Sequence, residues 1–300
     1  MSSSPTKGGR SSVLDLPREH RSLARDAWLK LRRNRLAMMG AGMILLLVLA
    51  AIGANLIAPY DPVQMEPRDA YQSPSWQHLL GTDEYGRDLY SRILYGARTS
   101  LLVGLGSVSF SLLLGTLLGL VSGYYLGILD LIISRIMDVL YAFPFLLLAL
   151  VVIAILGTGT DRALIAIGIA YIPMFARVCR GAVIAERGKL YVEGARVVGT
   201  RNLGIIVRHV LPNVMAPVIV QATLCLSFAI LAEAALSYLG LGTQPPMPSW
   251  GVMLSKGRDL MYYSPWLSIW PGLAIMATVF AFNVFGDGLR DALDPRLRER

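Results

Sequence analysis

The sequence predicts an all-α membrane protein with six transmembrane helices and both termini in the cytoplasm. Three observations carry this expectation. First, 54% of the 300 residues are hydrophobic and only 16% are charged, whereas a soluble domain carries about a quarter charged residues. Second, the apolar residues lie in long blocks. Leu36 to Tyr60, Thr99 to Leu129, Val139 to Thr160, Val210 to Ala232 and Leu260 to Gly286 contain no Asp, Glu, Lys or Arg. Each is long enough for the roughly 20 residues that a helix needs to cross a bilayer core. Third, the basic residues are asymmetric. With six crossings and a cytoplasmic N-terminus, inner segments hold 21 Lys and Arg and outer segments hold 7, as the positive-inside rule requires.

The chain then divides into a basic cytoplasmic tail (1–35), a first spanning helix (36–60), an extracytoplasmic segment (61–98), a core of five spanning helices (99–290) and a cytoplasmic tail (291–300). The core is interrupted by a cytoplasmic loop over 186–212. The leading tail starts with "MSSSPTKGGRSS", a composition typical of disorder. From Arg21 to Arg35 it reads as a basic juxtamembrane helix suited to anionic headgroups. The net charge of +8 and pI near 9.7 follow from such flanks and do not require nucleic acid.

In the outer segment, Thr82 or Asp83 is expected to cap a helix. From Asp88 the pattern predicts an amphipathic helix on the outer surface, with Leu89, Ile93 and Leu94 on one side and Arg87, Asp88, Ser91, Arg92 and Arg98 as its polar partners. The second span carries small residues at every fourth position: Ser107, Ser111, Gly115, Gly119, Gly123 and Gly127. Residues at this spacing share a face, and in lipid such a strip lets another helix backbone come close. In the third span Arg135 and Asp138 have the spacing of an ion pair, and Pro144 either kinks or starts the crossing. The fourth span, Ala163 to Ala176, is short and contains Pro173. It crosses only if the helix runs on towards Ala185 while Arg177 and Arg180 snorkel.

The loop "YVEGARVVGTRNLGIIVRHVLPN" (191–213) predicts a short helix over Leu190–Val198 ended by Gly199. Thr200 then caps a second helix. Gly194 and Ala195 give the first helix a small face fitted to another protein's groove, with Arg187, Lys189, Arg196, Arg201 and Arg208 around it. In the fifth span Glu233, with Ser237 and Tyr238 after it, either lines the path or is a helix-end carboxylate bonded to a neighbouring helix. Both readings stay open. Asp287, Arg290, Asp291 and Asp294 have helical spacings that suit internal salt bridges better than a metal.

Catalytic motifs are missing from the sequence. No G-x-x-x-x-G-K-[ST] loop occurs, and His20, His78 and His209 lack zinc spacing. Cys179 and Cys225 read as small buried hydrophobes. Intramembrane acids of the kind that proton-coupled carriers use reduce to Glu233. The chain reads as a pathway driven from elsewhere, with a stand-alone channel or secondary carrier and a membrane-embedded enzyme as rivals.

The loop resembles the "EAA" loop of permeases in binding-protein-dependent ABC importers. Glu193, Ala195, Gly199, Leu211 and Pro212 match the pattern in place. Gly194 stands where many members have alanine, and His209 where the pattern has isoleucine. "HLLGTDEYGRDLYSRILYGARTSL", "LSYLGLGTQPPMPSWGVML" and "AFNVFGDGLRDALDPRLRER" look like the C-type permease of peptide, nickel and glutathione importers. This resemblance implies a type I ABC importer permease fold in a prokaryotic inner membrane. It also implies a B-type permease as partner, two ATP-binding subunits that hold the ATP and Mg²⁺, and an extracytoplasmic solute-binding protein that reaches loops such as Leu239–Asp259. The chain itself would bind no cofactor and catalyse nothing. Coupling would run through Tyr191, Glu193, Gly194, Ala195, Arg196, Gly199, Leu211 and Pro212, with peptides as the expected cargo.

Overall fold

A computed structural model describes residues 23–293 of the chain. The start of the basic tail, Asp294 and Pro295 lie outside these residues. A helix α1 (Leu23–Arg33) leads into α2 (Arg35–Ile52), and Asn34 at the junction caps α2 by accepting a hydrogen bond from the Ala37 amide at 3.2 Å. After Gly53 comes one turn, α3 (Ala54–Ile57), and then an irregular cap over residues 58–88.

The next helix, α4 (Leu89–Tyr125), has 37 residues and so is about 55 Å long. It ends at Leu126, and α5 (Gly127–Ala142) and α6 (Phe145–Leu156) follow with an angle of 97° between them at Phe143–Pro144. Pro144 marks this bend. The fourth span is a continuous α7 (Thr160–Arg187) that contains Pro173 and extends past Ala185. Two short helices, α8 (Leu190–Val197) and α9 (Asn202–Ile205), lead through a wider π-helical turn (Ile206–Val210) into α10 (Leu211–Tyr238). A short α11 (Trp250–Asp259) precedes α12 (Trp266–Leu293). Five of these helical stretches are long and apolar enough to cross a membrane, and the bent α5–α6 pair makes six if counted as one span.

The bundle has two distinct ends. Residues 58–88, the start of α4 and α11 form the cap end. The ends of α4 and α7 together with α8 and α9 form the loop end. Small residues bring the central helices together. A Cβ on Gly115, Gly119 or Gly123 would lie 2.5, 2.6 or 2.8 Å from the Cβ of Phe175, Cys179 or Val183, so α4 meets α7 almost backbone to backbone. Ser107 and Ser111 are fully buried on the same face and turn their hydroxyls onto carbonyls of their own helix. Gly127 does not belong to this strip. The chain breaks at Leu126 (φ 54°), and Gly127 (φ 64°) begins α5 with no atom within 4 Å of where its Cβ would be.

Several local expectations need correction. The polar turn at Asp88 is not a separate surface helix but the first turn of α4, and Asp88 rather than Thr82 or Asp83 is its cap, accepting from the Ser91 amide at 2.8 Å. Its charges face one another under the cap instead of facing water. Asp138 pairs with Arg177 of α7 at 2.7 Å rather than with Arg135, while Asp130 takes Arg180 at 2.6 Å. These pairs fasten α5 to α7. Thr200 makes no capping bond; Arg201 is the residue before α9. Cys179 and Cys225 are buried and free.

Candidate docking site and the paths that reach it

At the loop end the local sequence builds a helix that shows its apolar side chains to solvent. Leu190, Val197, Val198 and Leu203 are 85, 88, 86 and 71% exposed. Glu193, Gly194, Arg196 and Arg201 are exposed among them, and no atom lies within 4 Å of where a Cβ on Gly194 would be. Gly199 has φ +85°, where an L side chain is strained and glycine is not. Its amide donates to the Arg196 carbonyl at 3.0 Å and the Thr200 amide to the Ala195 carbonyl at 3.1 Å, which closes the end of α8. Under this tip the segment is anchored. Val192, Ile205 and Val210 are fully buried, and Ala195 and Leu211 pack against the same core. Pro212 stands exposed in the first turn of α10.

Polar side chains tie the anchored part to the spans. The Tyr191 phenol donates to the buried Glu186 carboxylate at the end of α7, and the Asn213 amide of α10 donates to the Tyr191 oxygen at 3.1 Å. Asn213 also donates to the His209 carbonyl at 2.7 Å. Burial, and then the bond to Glu186, pushes the Tyr191 phenol up to about 12, so it stays a neutral donor at ordinary pH. Lys189 pairs with Glu186 at 2.6 Å. On the other side, the Tyr124 hydroxyl of α4 donates to Asn202 at 3.0 Å, and the Tyr124 carbonyl accepts from Arg187 at 2.7 Å.

The expected path residues sit at the other end of α10. Glu233 is 1% exposed; its carboxylate accepts from Ser100 of α4 and from Ser237, each at 2.7 Å. The Glu233–Ser100 bond is a buried tie between α10 and α4, and Ser237, one turn further along α10, holds the other carboxylate oxygen. Tyr238 is half-buried beside an apolar groove of about 530 Å³ between α10, α11 and α12, with Arg258 3.2 Å from its hydroxyl. Asp287 and Asp291 lie on α12, and no group of three His, Cys, Asp or Glu side chains comes together among the described residues.

The cap end is built from charge. Asp83 accepts from the Tyr85 and Arg87 amides at 2.9 Å each and from the Arg87 guanidinium at 2.6 Å, with Arg92 3.6 Å away. Asp88 holds His78 at 3.0 Å. Gly86 (φ +75°) leaves no room for a side chain, since a Cβ would be 1.8 Å from the Glu66 carbonyl oxygen. Trp250 of α11 fills the space over Gly96 and donates to the Ile93 carbonyl at 3.1 Å.

Comparison with known proteins decides the family. The family model of the binding-protein-dependent transport system inner membrane component matches residues 115–299, and that of the N-terminal TM domain of oligopeptide transport permease C matches 22–74. The chain belongs to this family of ABC importer permeases. It is similar to the dipeptide transport system permease protein DppC of Alkalihalophilus pseudofirmus, 47% identical over 91% of this chain and 90% of that protein. It is also similar to the glutathione transport system permease protein GsiD of Pectobacterium atrosepticum (44%, 91% of each). The di/tripeptide transport system permease protein DppC of Pseudomonas aeruginosa is 46% identical over 91% of this chain and 92% of that protein. Among solved structures, the inward-facing MetNI methionine ABC transporter shares the fold with TM-score 0.56 at 18% identity, covering 68% of this chain and 96% of its own. The permease is thus a multi-pass inner-membrane transport subunit.

Sequence reasoning found the α8 backbone but missed what surrounds it. Leu190, Val197, Val198 and Leu203 are visible as large apolar residues of the loop, but Val192, Ile205 and Val210 lie among them, and only the fold separates the exposed set from the buried one. Glu186, Asn213, Tyr124 and Asn202 carry no signal, because their partners are brought together only by the fold.

Proposed function

We propose that this permease is the C-type subunit of an importer for di- or oligopeptides. The Glu193–Gly199 helix docks on one of two ATP-binding subunits in the cytoplasm, where the ATP and Mg²⁺ are held. A B-type permease completes the translocation path, and an extracytoplasmic solute-binding protein delivers cargo at the cap end. Both termini are cytoplasmic in this arrangement, which agrees with the excess of basic residues at the loop end. One observation carries the docking reading. Leu190, Val197 and Val198 are almost fully exposed on a helix whose other side is anchored, and an apolar patch in water marks a surface for a partner. Peptide cargo rests on the named activities of the relatives.

The test is uptake of a labelled dipeptide by vesicles holding the reconstituted importer. Glu193→Lys or Gly199→Trp should leave the chain in the membrane but abolish ATP-dependent uptake. Normal uptake and normal substrate-stimulated ATP hydrolysis in both variants would overturn the reading. A stand-alone channel predicts passage through the purified chain without ATP-binding subunits, and no observation favours it.

A further inference from the structure

The exposed tip of the loop end is joined to three spans by two tyrosines. Tyr191 reaches α7 through Glu186 and α10 through Asn213, and Tyr124 joins α4 to α9 through Asn202. The donor balance around Tyr191 is complete. The phenol donates to Glu186, with the His209 carbonyl a second acceptor at 3.3 Å, and it accepts from Asn213, whose other amide hydrogen goes to that same carbonyl. The Tyr191–Asn213 bond bridges residues on either side of the π-helical turn Ile206–Val210, and the Asn213–His209 bond ties the end of that turn to α10. Gly199 offers an obvious hinge. Yet both arms of its turn are pinned, since Val192 before it and Ile205 after it are fully buried.

We propose that Tyr191, Glu186 and Asn213 form a latch that makes the docking helix one rigid body with α7 and α10. Force applied at Glu193–Gly199 then reaches α10 without bending at Gly199 or at the π-helical turn. Glu186 and Asn213 are positioning residues in this account: they touch neither cargo nor nucleotide and act by holding Tyr191. The transmission part rests on the docking reading above; the rigidity part does not.

The experiment separates the two. Spin labels at Val197→Cys on α8 and Ile219→Cys on α10 report the distance between helices in the purified chain in lipid nanodiscs, with Cys179 and Cys225 buried and out of the way. The latch predicts one narrow distance distribution, broadened at least about twofold by Glu186→Leu or Asn213→Leu. It predicts recovery in Glu186→Gln, whose amide oxygen still accepts from the phenol. A distribution already broad in the parent chain, or one indifferent to both Leu variants, overturns the latch. No ATP-binding subunit is needed for this arm, so a failed docking reading leaves it intact. In the second arm the complete importer carries the same variants without labels. Uptake of labelled dipeptide per ATP hydrolysed should fall at least about fivefold in the Leu variants and recover in Glu186→Gln. Broadened distances with unchanged uptake per ATP would overturn transmission through the latch.

Discussion

Asp83 and Arg87 at the cap end are 3% and 7% exposed and lie 2.6 Å apart, whereas Val197 and Val198 at the loop end are 88% and 86% exposed with no partner side chain over them. The distribution is the reverse of a soluble protein's, with charge inside at one end and large apolar side chains outside at the other. The cap end satisfies itself. The buried carboxylates of Asp83 and Asp88 both have backbone amide and side-chain partners, Gly86 lets the Glu66 backbone pass, and Trp250 closes the space over Gly96. The loop end satisfies only its inner half. Val192, Ile205 and the Tyr191 latch hold it in place, and the outer half is left for another surface to cover. The cap end closes over its charge, although Trp76 there is 97% exposed, and the tip leaves the apolar side of α8 open.

The contrast makes graded predictions. Asp83→Ala should have the largest effect on stability, about 3–5 kcal/mol, because it leaves Arg92 buried without a carboxylate and Arg87 with only Glu84 at 3.8 Å; thermal unfolding in detergent reads it out. Gly119→Val comes next, at about 1–3 kcal/mol, since any Cβ meets Cys179 and the Ala176 carbonyl at under 3 Å. Glu233→Ala should cost about 1–3 kcal/mol by stranding the Ser100 and Ser237 hydroxyls. Glu233→Gln, which can still accept from one of them, should cost less. The same pair of variants sharpens the role of Glu233: uptake per folded molecule should be near normal in Glu233→Gln, and a loss without a stability change would return this residue to the path. Smallest for stability is Val197→Ser with Val198→Ser, within about 0.5 kcal/mol as for surface changes generally, yet these should weaken the hold on the ATP-binding subunits. If the Val197 and Val198 pair destabilised the isolated chain as much as Asp83→Ala, the two ends would not differ as described.

What could be read from the sequence follows from which interactions are local. Gly115, Gly119 and Gly123 were legible as a strip because their partnership depends on helical period alone, and α7 then supplied the surface they face. Gly127 has the same spacing but falls after Leu126, where a left-handed residue ends the helix without a sequence signal. The turn at Asp88 looked amphipathic because spacing records polarity and not surroundings. Its charges are paired among themselves and with His78, so the polar side could be buried. The partners of Glu233 and Asp138, Ser100 and Arg177, are 133 and 39 positions away, beyond any local pattern. Likewise α8 and its glycine end were plain, while the struts from Glu186, Asn213 and Tyr124 exist only once α4, α7, α8, α9 and α10 converge.

The central claim is that the exposed tip of α8 is the surface through which the ATP-binding subunits drive this permease. The most direct measurement is disulfide crosslinking in the assembled importer, with Val197→Cys in this chain, since both native cysteines are buried. The account predicts a crosslink between position 197 and a cysteine in the groove of an ATP-binding subunit, with a yield that changes on adding ATP, and none from Leu79→Cys at the cap end. No crosslink from position 197 to any ATP-binding subunit, in complexes that still take up peptide, would contradict it.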